Sequence, residues 1–189
     1  MKTGKAKLSP PVVFVIKFVC LFGLLYGFYL GYLSITSPGG HYVAFFDTHL
    51  NFIAWLRSLL IESSAAILNR LGYQTKTAAD QMLVVGRNMV YVGYDCLGFG
   101  VMCFFTAFVF TYPGILKTKL YFWAIGLIAI QIINLARFVI LSLYWRRSNS
   151  VYLSDHHTIF NLIVYIAIGV SLFFYIRYQD KLLLTHTKV

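Results

Sequence analysis

Long apolar runs separated by short polar segments make up most of the chain. The runs cover residues 11–35, 96–112, 120–145 and 157–178. A helix needs about 17–25 apolar residues to cross the hydrocarbon core of a bilayer. Each run reaches that length. The pattern therefore predicts an all-α, multi-pass membrane protein with about four transmembrane helices, built as one membrane-embedded domain over residues 1–189.

The segment between the first two runs, residues 36–95, is more polar and is predicted to lie outside the membrane. Apolar positions between Asn51 and Tyr73 recur at helical spacing, but Arg57 and Glu62 interrupt them. Charged side chains are costly in lipid, so an amphipathic helix lying on the outer surface is favoured. A membrane-spanning helix is the alternative for this segment.

The residues just before the second run allow a short β-hairpin. Two stretches rich in Val, Met and Tyr, 82–85 and 89–92, flank Gly86-Arg87-Asn88. Gly and Asn are typical residues of a hairpin turn. This hairpin would bring the chain to Cys96 at the membrane surface.

Composition agrees with a membrane protein and narrows its partners. The chain is 59% hydrophobic and 12% charged, with a formal net charge of +10. The Lys and Arg residues are scattered around the apolar runs, so lipid is the expected partner and nucleic acid is not. Lysines precede the first run, and Lys117 and Lys119 follow the second. The positive-inside rule then places both termini in the cytoplasm.

With that orientation, residues of complementary chemistry meet at the outer face. Cys96 begins the second run, Arg137 lies near the outer end of the third, and His156 and His157 begin the fourth. A cysteine at a helix N-terminus is favoured as a thiolate, which is the nucleophilic form. Histidine can act as its base, and arginine can stabilise an oxyanion or bind a substrate carbonyl.

Four further residues are candidates for supporting roles. Asn134 lies about one helical turn from Arg137 and could hold its guanidinium, and Asn161 could orient the His157 ring. Asp95 is another orienting group, and His156 is the alternative base. No metal site or cofactor is predicted, because the histidines lack the spacing of zinc ligands.

Each of these residues also has a structural interpretation. Cys96 could be a packing residue, as Cys20 and Cys103 are predicted to be. Arg137 could reach the lipid headgroups, and the two histidines could simply begin a helix at the interface. The chain could then be a non-catalytic membrane assembly factor or a small transporter with Arg137 on a polar path.

Taken in order, the motifs resemble the exosortase/archaeosortase family of membrane proteins. The matching residues are Cys96-Leu97-Gly98, then Asn134-Leu135-Ala136-Arg137, then His157 followed four residues later by Asn161. The chain is similar to the compact members of the family from Bacteroidetes and related bacteria. It departs from the family pattern at Leu97, which replaces a serine, and at Asn161, which replaces a glycine.

The resemblance implies a cysteine peptidase or transpeptidase of the bacterial inner membrane, with its active site on the periplasmic face. Its substrates would be exported proteins that carry a C-terminal sorting signal of a short motif, a membrane helix and a basic tail. Cys96 would form the acyl-enzyme, His157 would act as base and then acid, and Arg137 would stabilise the oxyanion. The acyl group would pass to an acceptor or to water.

Overall fold

The structure is a computed structural model that describes residues 9–37, 41–87, 89–144 and 156–186. Its described residues form six α-helices, a three-stranded sheet and one 3-10 turn. The helices are α1 (Pro10–Thr36), α2 (Ala44–Leu50), α3 (Phe52–Arg70), α4 (Phe99–Thr111), α5 (Leu116–Tyr144) and α6 (His156–His186). The strands are β1 (Thr75–Thr77), β2 (Gln81–Val84) and β3 (Met89–Tyr91), and the 3-10 turn is Tyr94–Leu97.

Four of the helices are arranged so that consecutive ones run in opposite directions. In α1, Phe14 packs on Tyr112 at 6.0 Å between ring centroids, and Tyr29 stacks on Phe99 at 4.8 Å, so α1 and α4 are antiparallel. α4 and α5 form a helical hairpin, in which Trp123 donates a hydrogen bond to Thr106 at 3.0 Å. α6 returns antiparallel to α5.

This alternation gives the bundle two chemically different ends. One end carries the 3-10 turn, Arg137 and the beginning of α6, and we call it the Cys96 end. At the other end, the Gly114 end, the fully buried Gln179 accepts a hydrogen bond from the Ile115 N–H at 3.3 Å. Tyr112 there donates to Asp180 at 2.8 Å. Near its C-terminal end, α6 is therefore held by hydrogen bonds against the connection between α4 and α5.

The predicted fold class is confirmed: this is an all-α membrane protein with a small sheet. Within the described ranges, four helices are long and apolar enough to cross a membrane, namely α1, α3, α5 and residues Asn161–Leu184 of α6. α4 is shorter, with 13 residues. The mean hydropathy of α3 is only 1.2, against 2.2 for α1 and α5. The number of long apolar helices agrees with the prediction, but the set differs. α3 is long enough to cross a membrane, whereas α4, which corresponds to the predicted second run, is shorter.

The predicted hairpin is confirmed by the antiparallel pairing of β2 with β3, in which Met82 lies opposite Val90. β1 adds a third strand that the sequence pattern did not indicate. The buried face of the sheet packs on one side of α3, where Ile53 and Leu68 are fully buried with Met82 and Val84. α3 and the sheet together cover the Cys96 end.

Two helices extend beyond the apolar runs that predicted them. Lys117 and Lys119, which precede the third run, lie in the first turns of α5, and Lys119 donates to the Phe110 carbonyl at 3.2 Å. Their long aliphatic stems allow them to continue an apolar helix. α6 continues to His186 rather than ending at Tyr178, because no Gly or Pro interrupts the sequence there.

The α4–α5 contact gives a test of the packing. A Cβ at Gly126 would overlap the Phe105 ring, which is 1% exposed. We expect Gly126→Ala to lower the free energy of unfolding by about 1–3 kcal/mol, because a buried ring would have to leave its position. Thermal unfolding of the purified protein in detergent measures this change.

Gly23→Ala in α1 is the matched control, since a Cβ there meets nothing within 4 Å. Replacing glycine by alanine in an open helical position is neutral or slightly stabilising. Equal stability of the two variants would contradict the described contact between α4 and α5.

Candidate functional site

The 3-10 turn Tyr94–Leu97 lies between two glycines that determine its shape. The Cys96 N–H donates to the Gly93 carbonyl at 3.0 Å, which closes the turn. Gly98 follows with φ +75°, a left-handed conformation that glycine adopts readily. α4 begins only at Phe99. The prediction that Cys96 opens the second membrane helix is therefore wrong, because Gly98 separates the turn from the helix.

A carbonyl in this turn is held by two amide side chains of α5. Asn134 Nδ2 and Gln131 Nε2 both donate to the Leu97 carbonyl, each at 3.3 Å. A Cβ at Gly98 would lie 2.6 Å from Asn134 Nδ2, so the close approach also requires glycine. The prediction that Asn134 holds the Arg137 guanidinium is wrong, since the amide supports the turn instead.

Arg137 is buried and binds the neighbouring carbonyl. Its side chain is 5% exposed, and its Nη2 donates to the Cys96 carbonyl at 3.0 Å. The guanidinium carbon lies 5.2 Å from the centroid of the Phe138 ring. Arg137 Nε is buried and has no hydrogen-bond partner in the described part of the chain. The structure thus brings Cys96 and Arg137 together through the backbone, with one arginine donor left unused.

A cavity of about 720 Å³ opens beside the turn, between α1, α4, α5 and α6. Polar side chains line the part of the cavity nearest the Cys96 end, namely Asp95, Asn134, Arg137 and Asn161. Aromatic and aliphatic side chains line the remainder, among them Tyr26, Tyr29, Phe104, Ile130, Val164 and Leu172. The arrangement can bind an amphipathic molecule whose polar portion lies near the Cys96 end.

The side chain of Cys96 lies outside the lining of this cavity. Asp95 and Gly98, on either side of it along the chain, are lining residues, whereas the half-buried Cys96 side chain packs against the hydrophobic cluster under α3 and the sheet. Of the other cysteines, Cys20 is exposed on α1 and Cys103 is half-buried on α4. The residues that the structure describes contain no group of three or more His, Cys, Asp or Glu side chains that could hold a metal ion.

The predicted histidines lie at the start of α6. The helix begins at His156, so His157 is in its first turn, but the side chains of residues 156–160 lie outside the described part. Asn161 is the first side chain of α6 that is described, and it lines the cavity with Arg137. The beginning of α6 therefore lies on the same side of the bundle as the turn.

Sequence reasoning missed three contributions to this site. The first is Gln131. It lies three residues before Asn134 and six before Arg137 on α5, and this polar series in an apolar helix was the available signal for it. The hydroxyl of Tyr29 donates to the Tyr94 carbonyl at 3.5 Å. The positive φ of Gly98 also went unpredicted.

Comparison of the chain with protein-family models, with curated proteins and with solved structures found no match. The resemblance to exosortases therefore rests on the order and spacing of the motifs in this sequence.

The geometry of the turn predicts coupling between Gly98 and Asn134. We expect Gly98→Ala to lower the free energy of unfolding by about 1–3 kcal/mol, because alanine meets both an unfavourable φ and the Asn134 amide. Asn134→Ala removes the second of these costs. The loss caused by Gly98→Ala should therefore be smaller in an Asn134→Ala background, as a double-mutant cycle by thermal unfolding would show.

Additive effects of the two substitutions would mean that the amide and Gly98 do not touch. Gly93→Ala serves as the control, because a Cβ at Gly93 would meet only the Tyr91 ring, at 3.6 Å. Its effect should be independent of Asn134.

Proposed function

We propose that this chain is a membrane-embedded cysteine peptidase or transpeptidase of the exosortase/archaeosortase type. It would cleave a C-terminal sorting signal of exported proteins at the outer face of the bacterial inner membrane and transfer them to an acceptor or to water. The observation that carries the proposal is the hydrogen bond from Arg137 to the Cys96 carbonyl, which joins two motifs 41 residues apart.

The burial of Arg137 is itself an argument for function. A buried charge is costly unless it is paired, and Arg137 forms no ion pair with any described residue. An ionisable side chain at membrane depth is a functional-site candidate for this reason. The unused Nε–H beside the turn is a donor for an oxygen that becomes negatively charged during reaction.

The proposed chemistry assigns one role to each motif. The Cys96 thiolate adds to the scissile carbonyl carbon, and Arg137 stabilises the resulting oxyanion. The carbon–nitrogen bond then breaks, and His157, or His156 in its place, gives the proton to the leaving amine. Water or an acceptor nucleophile releases the acyl group from the thioester. The reaction requires the Cys96 sulfur to reach the cavity between Asp95 and Gly98.

The proposed orientation places the Cys96 end outside the cytoplasm. α1, α4, α5 and α6 would cross the membrane, while α3 and the sheet cover the outer end. Lys117 and Lys119 belong to the opposite end, which agrees with a cytoplasmic location under the positive-inside rule. Exported substrates would then meet the site after translocation.

The alternative is a non-catalytic assembly factor or a small transporter. A transporter would need polar groups that continue from Arg137 toward the Gly114 end. Gln131 and Asn134 instead donate to the turn. The cavity wall beyond them is apolar and includes Ile130, Val164, Ile168 and Leu172. The peptidase is favoured on this ground.

The nucleophile is tested by Cys96→Ala. We expect processing of co-expressed secreted proteins to fall by at least about 10³-fold, because the acyl-enzyme cannot form. Processing is read as release of the C-terminal signal on immunoblots of tagged substrates, normalised to the amount of membrane-inserted enzyme. Cys103→Ala removes a half-buried thiol from α4 and should process normally. Normal processing by Cys96→Ala would refute the proposal.

The role of Arg137 is tested by Arg137→Lys. Lysine keeps the charge but cannot donate to the Cys96 carbonyl and to an oxyanion in the same planar geometry. We expect at least about a 10²-fold loss of processing in the same assay, the usual effect of losing an oxyanion donor. Arg70→Lys, at the exposed end of α3, is the control. Undiminished processing by Arg137→Lys would show that Arg137 is a structural residue.

A further inference from the structure

A carboxylate without a bonding partner directly precedes Cys96 in the chain. Asp95 belongs to the Tyr94–Leu97 turn, and it is the one carboxylate of the described residues that lines the cavity. Its side chain is exposed and forms no hydrogen bond or ion pair with any described residue. By contrast, Asp47 and Asp180 each accept a hydrogen bond from a tyrosine hydroxyl. Asp95 therefore offers its carboxylate oxygens to a molecule in the cavity.

Aromatic rings line the cavity near Asp95. The Asp95 carboxylate is close enough to act electrostatically on the Tyr29 hydroxyl. The centroid of the Tyr29 ring lies 4.8 Å from that of Phe99, on which it stacks, and 6.0 Å from that of Tyr26. All three rings are part of the cavity wall. Because ring faces attract cations, a carboxylate beside aromatic rings is suited to bind an organic ammonium group.

The opposite charge in the same cavity belongs to Arg137. It is 5% exposed, its Nε–H has no hydrogen-bond partner among the described residues, and no ion pair joins it to Asp95. Asp95 precedes Cys96 in the chain, and Arg137 binds the Cys96 carbonyl. Two opposite charges that share a cavity without pairing favour a bound species that carries both charges.

The proposed release of the acyl group from Cys96 produces such a species when the acceptor is an amine. An amine nitrogen that adds to a thioester carbon becomes positive, while the carbonyl oxygen becomes negative. A water molecule that loses a proton to a base as it adds leaves only the negative oxygen. Arg137 is the proposed donor for that oxygen, and Asp95 has the charge that stabilises the positive nitrogen.

We infer that the acceptor is a primary amine, and that Asp95 and the Tyr29 ring bind its ammonium group. This inference rests on the proposed transpeptidase function, because an acceptor is needed only if an acyl-enzyme forms. The apolar part of the cavity, which includes Ile130 and Val164, would contact a hydrocarbon portion of the amine.

The transfer balances with the groups already assigned. After cleavage His157 is neutral, since it has given its proton to the leaving amine. The bound ammonium group gives one proton to His157, and its nitrogen adds to the thioester carbon once the Cys96 sulfur is in the cavity. The carbon–sulfur bond then breaks, and the sulfur leaves as a thiolate. The second nitrogen proton passes through the Asp95 carboxylate to water, which leaves an amide and restores the starting enzyme.

The test supplies an amine and analyses the new C-terminus of the product. Membranes that contain the full-length protein and a tagged exported substrate are incubated with n-hexylamine, and mass spectrometry measures the ratio of hexylamide to carboxylic acid. We expect wild-type protein to form the hexylamide. Asp95→Asn should lower the ratio about tenfold or more, because the charged contact with the nitrogen is lost. Asp95→Glu keeps the carboxylate and should retain most of the amide.

Glu62→Gln is the control, since it removes an exposed carboxylate of α3 that does not line the cavity. It should leave the ratio at the wild-type value. Cleavage that gives only the acid, or an equal ratio in wild type and Asp95→Asn, would overturn the inference and leave the peptidase intact. Absence of cleavage by wild-type protein would refute the peptidase, and the amine acceptor with it.

A binding measurement tests the Asp95 site without catalysis. Purified Cys96→Ala protein in detergent cannot form an acyl-enzyme, and saturation-transfer NMR detects contact between its ring protons and hexylammonium. We expect this contact to be lost when Asp95→Asn is added. n-Hexanol has the same tail without the charge, so its signal should not depend on Asp95. Equal hexylammonium signals with and without Asp95→Asn would show that Asp95 binds no ammonium group.

Discussion

The arrangement of the Cys96 end depends on the side chains that donate hydrogen bonds to two backbone carbonyls. The Tyr94–Leu97 turn connects β3 to α4 at the edge of an apolar bundle, where an unpaired carbonyl is costly. Arg137 donates to the Cys96 carbonyl, and Asn134 and Gln131 donate to that of Leu97. A hydrogen bond that involves a charged group contributes about 1.5–3 kcal/mol, more than a neutral one. These three side chains of α5 therefore fix the position of the turn.

The rest of the site follows from this attachment. The amide of Asn134 can approach the backbone only because Gly98 lacks a Cβ and accepts a positive φ. α3 and the sheet pack over the turn from outside, while the cavity opens beneath it among the membrane helices. The polar groups that line the cavity are concentrated near the Cys96 end. An amphipathic substrate would therefore have its polar segment beside the Tyr94–Leu97 turn, and the proposed peptidase additionally requires the Cys96 sulfur to enter the cavity.

The sequence was informative about long elements and less so about local geometry. The apolar runs predicted the helices, and their alternating direction was enough to place Cys96, Arg137 and the start of α6 at one end. The partner of Asn134 could not be predicted, because it depends on where the 3-10 turn places the Leu97 carbonyl. α3 was ambiguous, since half of its exposed face is apolar and half is polar. β1 has only three residues and lacks the alternation that marks a strand.

A search for a thioester on Cys96 tests most directly whether Cys96 is the nucleophile. The protein would be isolated from cells that co-express tagged exported proteins, then treated with neutral hydroxylamine and analysed by mass spectrometry of the Cys96 peptide. We expect a substrate fragment attached to Cys96 that hydroxylamine releases, and no such fragment on Arg137→Lys protein. Efficient cleavage of the substrate while Cys96 stays unmodified, together with full activity of a Cys96→Ser variant, would contradict it.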